Sequence, residues 1–112
     1  MRILLDEDLP RRLGRLLTGH EPETVSRCGW SGVKNGKPLA LAATRLDVFL
    51  TMDRNIGFQQ NLATLPIATL VVEAQSNRIE HLQPLVAEIL RQLNPIPPES
   101  LRRIERRLPG ES

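Results

Sequence analysis

The sequence predicts a three-layer α/β fold, a mainly parallel four-stranded sheet flanked by helices. Two observations predict it. Short continuous apolar runs, as expected of strands buried on both faces, alternate with stretches of helical periodicity. The length, 112 residues, suits one compact domain.

Ile3-Leu4-Leu5 is the first apolar run, and it ends at Asp6. A helix should follow, because Leu9, Leu13, Leu16 and Leu17 recur at helical spacing. Asp8 can cap it, Pro10 sits in its first turn and Gly19 stops it. Thr24-Val25 is a weak second strand. Cys28 to Lys37 carries Gly29, Gly32, Gly36 and Asn35, which is turn chemistry. Pro38 to Arg45 reads as a helix, and Asp47 to Met52 as a third strand that ends at Asp53. A short helix is expected over Gly57 to Leu62. Ile67 to Val72 is the clearest strand.

Ser76-Asn77 offers a cap to an amphipathic helix carrying Ile79, Leu82, Leu85, Val86, Ile89, Leu90 and Leu93. Pro84 inside that pattern predicts a kink or a late start. The domain therefore spans 1–93. Residues 94–112 form a Pro-rich break and a basic C-terminal helix. That helix would set Leu101, Ile104 and Leu108 on one face and Arg102, Arg103, Arg106 and Arg107 on the other.

Apolar residues make up 40% of the chain but aromatics only 3%, so the core must be aliphatic. The net charge is +2 and the pI about 9.3, which permits a polyanionic partner without demanding one. Of the 15 Lys and Arg, all but Lys34 and Lys37 are arginine, whose planar fork suits phosphate oxygens. Cys28, the only cysteine, cannot form an internal disulfide, which fits a reducing, cytoplasmic setting. No apolar stretch nears the roughly 18 residues of a membrane span, so no membrane partner is expected.

Ligands of open α/β sheets bind beyond the carboxyl ends of the strands, where strand order reverses. Asp6 follows the first strand and Asp53 the third, with Asp8 two residues past Asp6. If those strands are neighbours, the carboxylates share a crevice and repel unless a cation neutralises them. Oxygen ligands suit Mg²⁺ or Mn²⁺, and such an ion activates water on a phosphodiester. Asp47 begins its strand and belongs to the opposite, structural end. Trp30 and Cys28 read as packing residues.

Leu4-Leu5-Asp6-Glu7-Asp8-Leu9-Pro10 resembles the opening motif of the PIN-like nucleases, a bacterial family near the VapC-type toxins. Leu50-Thr51-Met52-Asp53-Arg54-Asn55 resembles the second motif and Ser76-Asn77-Arg78 a third. The resemblance runs over about residues 1–93. It implies a PIN-like fold and a metal-dependent ribonuclease acting as the toxin of a toxin–antitoxin pair, with RNA as substrate and a small antitoxin as partner. Asp6 and Asp53 would be the metal-binding acids and Asp8 a third, with Arg11, Arg54 and Arg78 on the phosphates. Asn35 stands where the family often has an acid.

Two other classes compete. A phospho-accepting receiver domain shares the length and both acid positions, yet it needs a lysine after its fifth strand. A catalytically inactive interaction module would use its acids as caps, and the stripe Leu101, Ile104, Leu108 to meet a second copy or an antitoxin groove.

Overall fold

The computed structural model describes residues 1–24, 46–53, 67–94, 96 and 100–105. Five parallel strands form one sheet: β1 (Arg2–Leu5), β2 (Glu21–Thr24), β3 (Val48–Thr51), β4 (Ala68–Glu73) and β5 (Leu101–Glu105), in the order β2-β1-β3-β4-β5. The helices are α1 (Arg11–Leu16), α2 (Ile79–Leu82) and α3 (Val86–Leu93), with a 3₁₀ turn at Gln83–Leu85 between the last two. The α/β class expected from the alternation of runs and periods is therefore present. The predicted loop at Cys28 to Lys37 with Asn35, the helices at Pro38 to Arg45 and Gly57 to Leu62, and Val25, Arg54 and Leu108 lie outside the described residues.

Strand register explains the core. Ile3 stands beside Val48 and Leu5 beside Leu50, and Val48 and Leu50 stand beside Ala68 and Leu70. Side chains alternate along a strand, so these residues share one face. They join Leu13 and Leu17 from α1 and its end, Leu82 of α2, and Ile89 and Leu93 of α3 in one cluster. Leu4, Phe49, Thr69 and Val71 on the opposite face are buried as well. Burial on both faces is why β1, β3 and β4 read as continuous apolar runs rather than alternating ones.

The edge strands differ. β2 is the exposed-to-half-buried run Glu21-Pro22-Glu23-Thr24. Proline is tolerated there because an edge strand leaves part of its ladder unpaired. Gly14 lets α1 lie against this strand: a Cβ on it would stand 3.0 Å from Pro22 Cγ and 3.1 Å from Pro22 Cβ. Gly14→Val should thus cost about 1–3 kcal/mol by overpacking, read as a lower urea midpoint. An unchanged midpoint would mean that helix and strand stand further apart than this.

Two local expectations need correction. Asp8 does not cap α1; the cap position is Pro10, and no side chain bonds the helix start. The helix expected from Ser76 begins at Ile79, with Arg78 at the cap position. Ser76 still serves the entry, because its Oγ accepts the Arg78 N–H at 3.1 Å and lies 2.6 Å from His81 Nδ1. Pro84 falls inside the 3₁₀ turn, where its missing N–H interrupts the α ladder.

The larger correction concerns the C-terminal segment. Leu101–Glu105 is not a helix but strand β5, paired with β4 from Thr69↔Leu101 to Glu73↔Glu105. The sheet thus has five strands rather than four. The physical reason lies in β4, an apolar strand whose second edge would otherwise expose unpaired N–H and C=O groups. Tertiary pairing overrides the helical spacing of Leu101, Ile104 and Leu108. In a strand, Leu101 and Ile104 point to opposite faces, and so do Arg102 and Arg103. Neither the apolar stripe nor the basic face expected of a helix exists at those positions. Ile104 enters the core, Arg102 donates to Gln92 Oε1 of α3 at 3.0 Å, and Arg103 lies 3.7 Å from Glu73.

Among the described residues, no helix is long and apolar enough to cross a membrane.

Candidate active site at the carboxyl ends of the central strands

The strand order 2-1-3-4-5 is that of doubly wound sheets of the flavodoxin type, with the switch point between β1 and β3. The chain leaves β1 toward one edge of the sheet and β3 toward the other. In sheets of this order ligands bind at that divergence, beyond the carboxyl ends of the two strands, and Asp6 and Thr51 stand there.

The ladder carries on one residue beyond β1: the Asp6 N–H donates to Leu50 O at 2.9 Å. Asp6 therefore becomes the cross-strand neighbour of Thr51, on the face shared by Leu4 and Phe49. Both are buried, Asp6 2% exposed and Thr51 0%. Thr51 Oγ1 donates to Asp6 Oδ2 at 2.6 Å, and the Glu7 N–H donates to Asp6 Oδ1 at 2.8 Å. Those two bonds fix the plane of the carboxylate and offset the cost of burying it.

Asp8 arrives by a turn. The Leu9 N–H donates to Asp6 O at 3.0 Å, folding residues 6–9 back over the end of β3. The Met52 N–H then faces both Asp8 oxygens, at 3.4 and 3.3 Å. Asp8 Oδ2 lies 3.4 Å from Thr51 Oγ1. A hydroxyl has a single proton, and the shorter distance assigns it to Asp6. Asp8 thus sits as a second carboxylate beside the same oxygen. Thr51 Oγ1 also accepts the Asp53 N–H at 3.0 Å, which ties the chain after β3 into the cluster.

Asp6 and Asp8 are therefore brought together, with Thr51 between them. Asp53 is joined to that cluster through its backbone. Among the described residues, no group of three or more His, Cys, Asp or Glu is placed to hold a metal ion. The pair itself is hard-oxygen chemistry. Mg²⁺ commonly takes one or two carboxylates and completes its shell with water and phosphate, so Asp6 and Asp8 fit such an ion as a two-carboxylate donor set.

The arginines are distributed differently. Arg11 opens α1, is exposed, and lines a pocket beside β2. Arg78 is exposed, and its Nε lies 3.2 Å from Glu80. Arg54 lies outside the described residues. Asp47 is at the opposite end of β3, where its Oδ2 accepts the Arg2 N–H at 2.8 Å.

Thr51 is the residue that sequence reasoning passed over as a site residue. Its signal was there: a hydroxyl closing an apolar strand, two residues before an aspartate. Without knowing that β1 and β3 are neighbours, nothing pairs it with Asp6. Thr51→Val keeps the shape and removes the donor to a buried carboxylate. The expected loss is about 1.5–3 kcal/mol in chemical denaturation, recovered by Thr51→Ser. Equal stability of all three chains would contradict the bond.

The chain matches no protein-family model, no curated protein and no solved structure. The class that the fold and the site define is a parallel α/β domain with paired carboxylates at its switch point.

Proposed function

We propose that this chain is a PIN-like, metal-dependent ribonuclease, the toxin component of a bacterial toxin–antitoxin pair. It would act in the cytoplasm on RNA, with Mg²⁺ or Mn²⁺ as cofactor and a small antitoxin as its partner. The observation that supports this most is the meeting of Asp6 and Asp8 on the buried Thr51 hydroxyl, at the carboxyl ends of adjacent parallel strands. Two carboxylates around one hydroxyl repel, and a divalent cation relieves that repulsion. The motif resemblance supplies the nuclease and toxin parts of the reading.

In this reading Asp6 and Asp8 hold the ion, and Asp53 stands next to them, its backbone N–H on Thr51 Oγ1. When bound, the ion supplies an activated water and neutralises charge on the phosphodiester. Asp6 contributes rigidity, because Glu7 N–H and Thr51 Oγ1 hold its carboxylate in one orientation. Thr51 is a positioning residue, since it reaches the ion only through Asp6. Arg11, Arg54 and Arg78 would contact RNA phosphates. The test is RNA cleavage with Mn²⁺ by the wild type, by Asp6→Asn and by Asp8→Asn. Both substitutions should abolish it with the fold intact, and cleavage persisting in both rejects the site.

One observation favours a second reading. The strand order β2-β1-β3-β4-β5 is also that of phospho-accepting receivers. The residues following β5 are Arg106 and Arg107, however, and Lys34 and Lys37 both precede β3, so the lysine a receiver needs after that strand is missing. Incubation with a small phosphodonor separates the two: a stable phosphate on Asp53 favours the receiver.

A further inference from the structure

A pocket of about 520 Å³ lies between α1 and β2, apart from the carboxylate pair. Arg11 and Arg15 both line it. They are four residues apart on α1, so they project from the same face of the helix. Both are exposed. Among the described residues neither makes an ion pair or a hydrogen bond through its guanidinium, so their charge faces solvent there. Thr24 adds a hydroxyl at the carboxyl end of β2, and it stands beside Leu5, the residue before Asp6. The pocket therefore extends, on the α1 face, to the level of the carboxyl end of β1, after which Asp6 turns to the opposite face. Glu23, the acid in its lining, already has a partner of its own.

We propose that this pocket is a phosphate subsite for single-stranded RNA, in which Arg11 and Arg15 hold the backbone of the strand on the α1 side of the acids. The proposal rests on the ribonuclease reading and adds Arg15 and the path of the strand. Two guanidinium forks on one helix face, open to solvent and bordering a groove, suit successive anionic groups along a flexible chain.

The test is binding of a short fluorescent RNA oligonucleotide in EDTA, followed by anisotropy over a salt series. The chains are the wild type, Arg11→Gln/Arg15→Gln, and Arg12→Gln. Arg12 is an exposed neighbour on α1 that does not line the pocket. The double substitution should weaken binding about tenfold or more. It should also flatten the log–log salt dependence by about 1.4, the value for two lost phosphate contacts on a single strand. Arg12→Gln should bind as the wild type does. Equal losses in the double variant and Arg12→Gln would show general charge attraction and overturn the subsite, as would a wild type that binds no RNA. Because metal is absent, the ribonuclease reading fails separately: a wild type that binds RNA through Arg11 and Arg15 but never cleaves it with Mn²⁺ would keep the subsite and lose the chemistry.

Discussion

Asp6→Asn is expected to remove Mn²⁺-dependent RNA cleavage while leaving the protein folded. Loss of a residue that merely orients a metal ligand costs roughly 10–100-fold, so loss of a ligand itself should cost about a hundredfold or more. Folding survives because asparagine keeps the bonds to Glu7 and Thr51. Its carbonyl accepts the Glu7 N–H that now reaches Asp6 Oδ1. Its amide then donates to Thr51 Oγ1, the present donor to Asp6 Oδ2. The Thr51 proton has Asp8 Oδ2, 3.4 Å away, to turn toward. The measurement is a cleavage time course beside a urea denaturation curve. A variant that cleaves at the wild-type rate contradicts the role of Asp6. One that is inactive and also unfolded would show only that Asp6 supports the fold.

Ile104→Asp should be the most damaging single change outside the site. Ile104 is 3% exposed and stands beside Val72 in the β4–β5 ladder. A carboxylate there is a charge forced into the apolar cluster, which costs roughly 3–5 kcal/mol. Arg103→Asp, one residue earlier and on the other face, loses the contact to Glu73 and sets a like charge beside it, yet at this more exposed place it should cost far less. Comparable urea midpoints for Ile104→Asp and the wild type would remove β5 from the core.

Much of this architecture was legible in the chain. Ile3-Leu4-Leu5, the run from Asp47 and the run from Ile67 read as strands because burial on both faces demands continuous apolar character, and the sheet buries both. Pro84 marked the interruption between α2 and α3 because a missing N–H is a local fact. The segment Leu101–Glu105 was not legible. Its spacing fits a helix, and what makes it a strand is the open edge of β4, a partner far away in sequence.

The site divides the same way. Asp6 was visible as a carboxylate ending a buried strand. The part of Thr51 was hidden, since it depends on Leu5↔Leu50 register. Asp8 looked like a helix cap because of its place before Pro10. The turn closed by the Leu9 N–H and Asp6 O carries it instead to the Met52 N–H.

The central claim is that Asp6 and Asp8 together bind one divalent cation. Titration of Mn²⁺ into the full chain, followed by the loss of the free ion's electron paramagnetic resonance signal, addresses it without any substrate. The account predicts one site in the wild type, weakened strongly in Asp6→Asn and in Asp8→Asn alike. A wild type that leaves the free signal untouched, or variants that bind Mn²⁺ as well as it does, would contradict it.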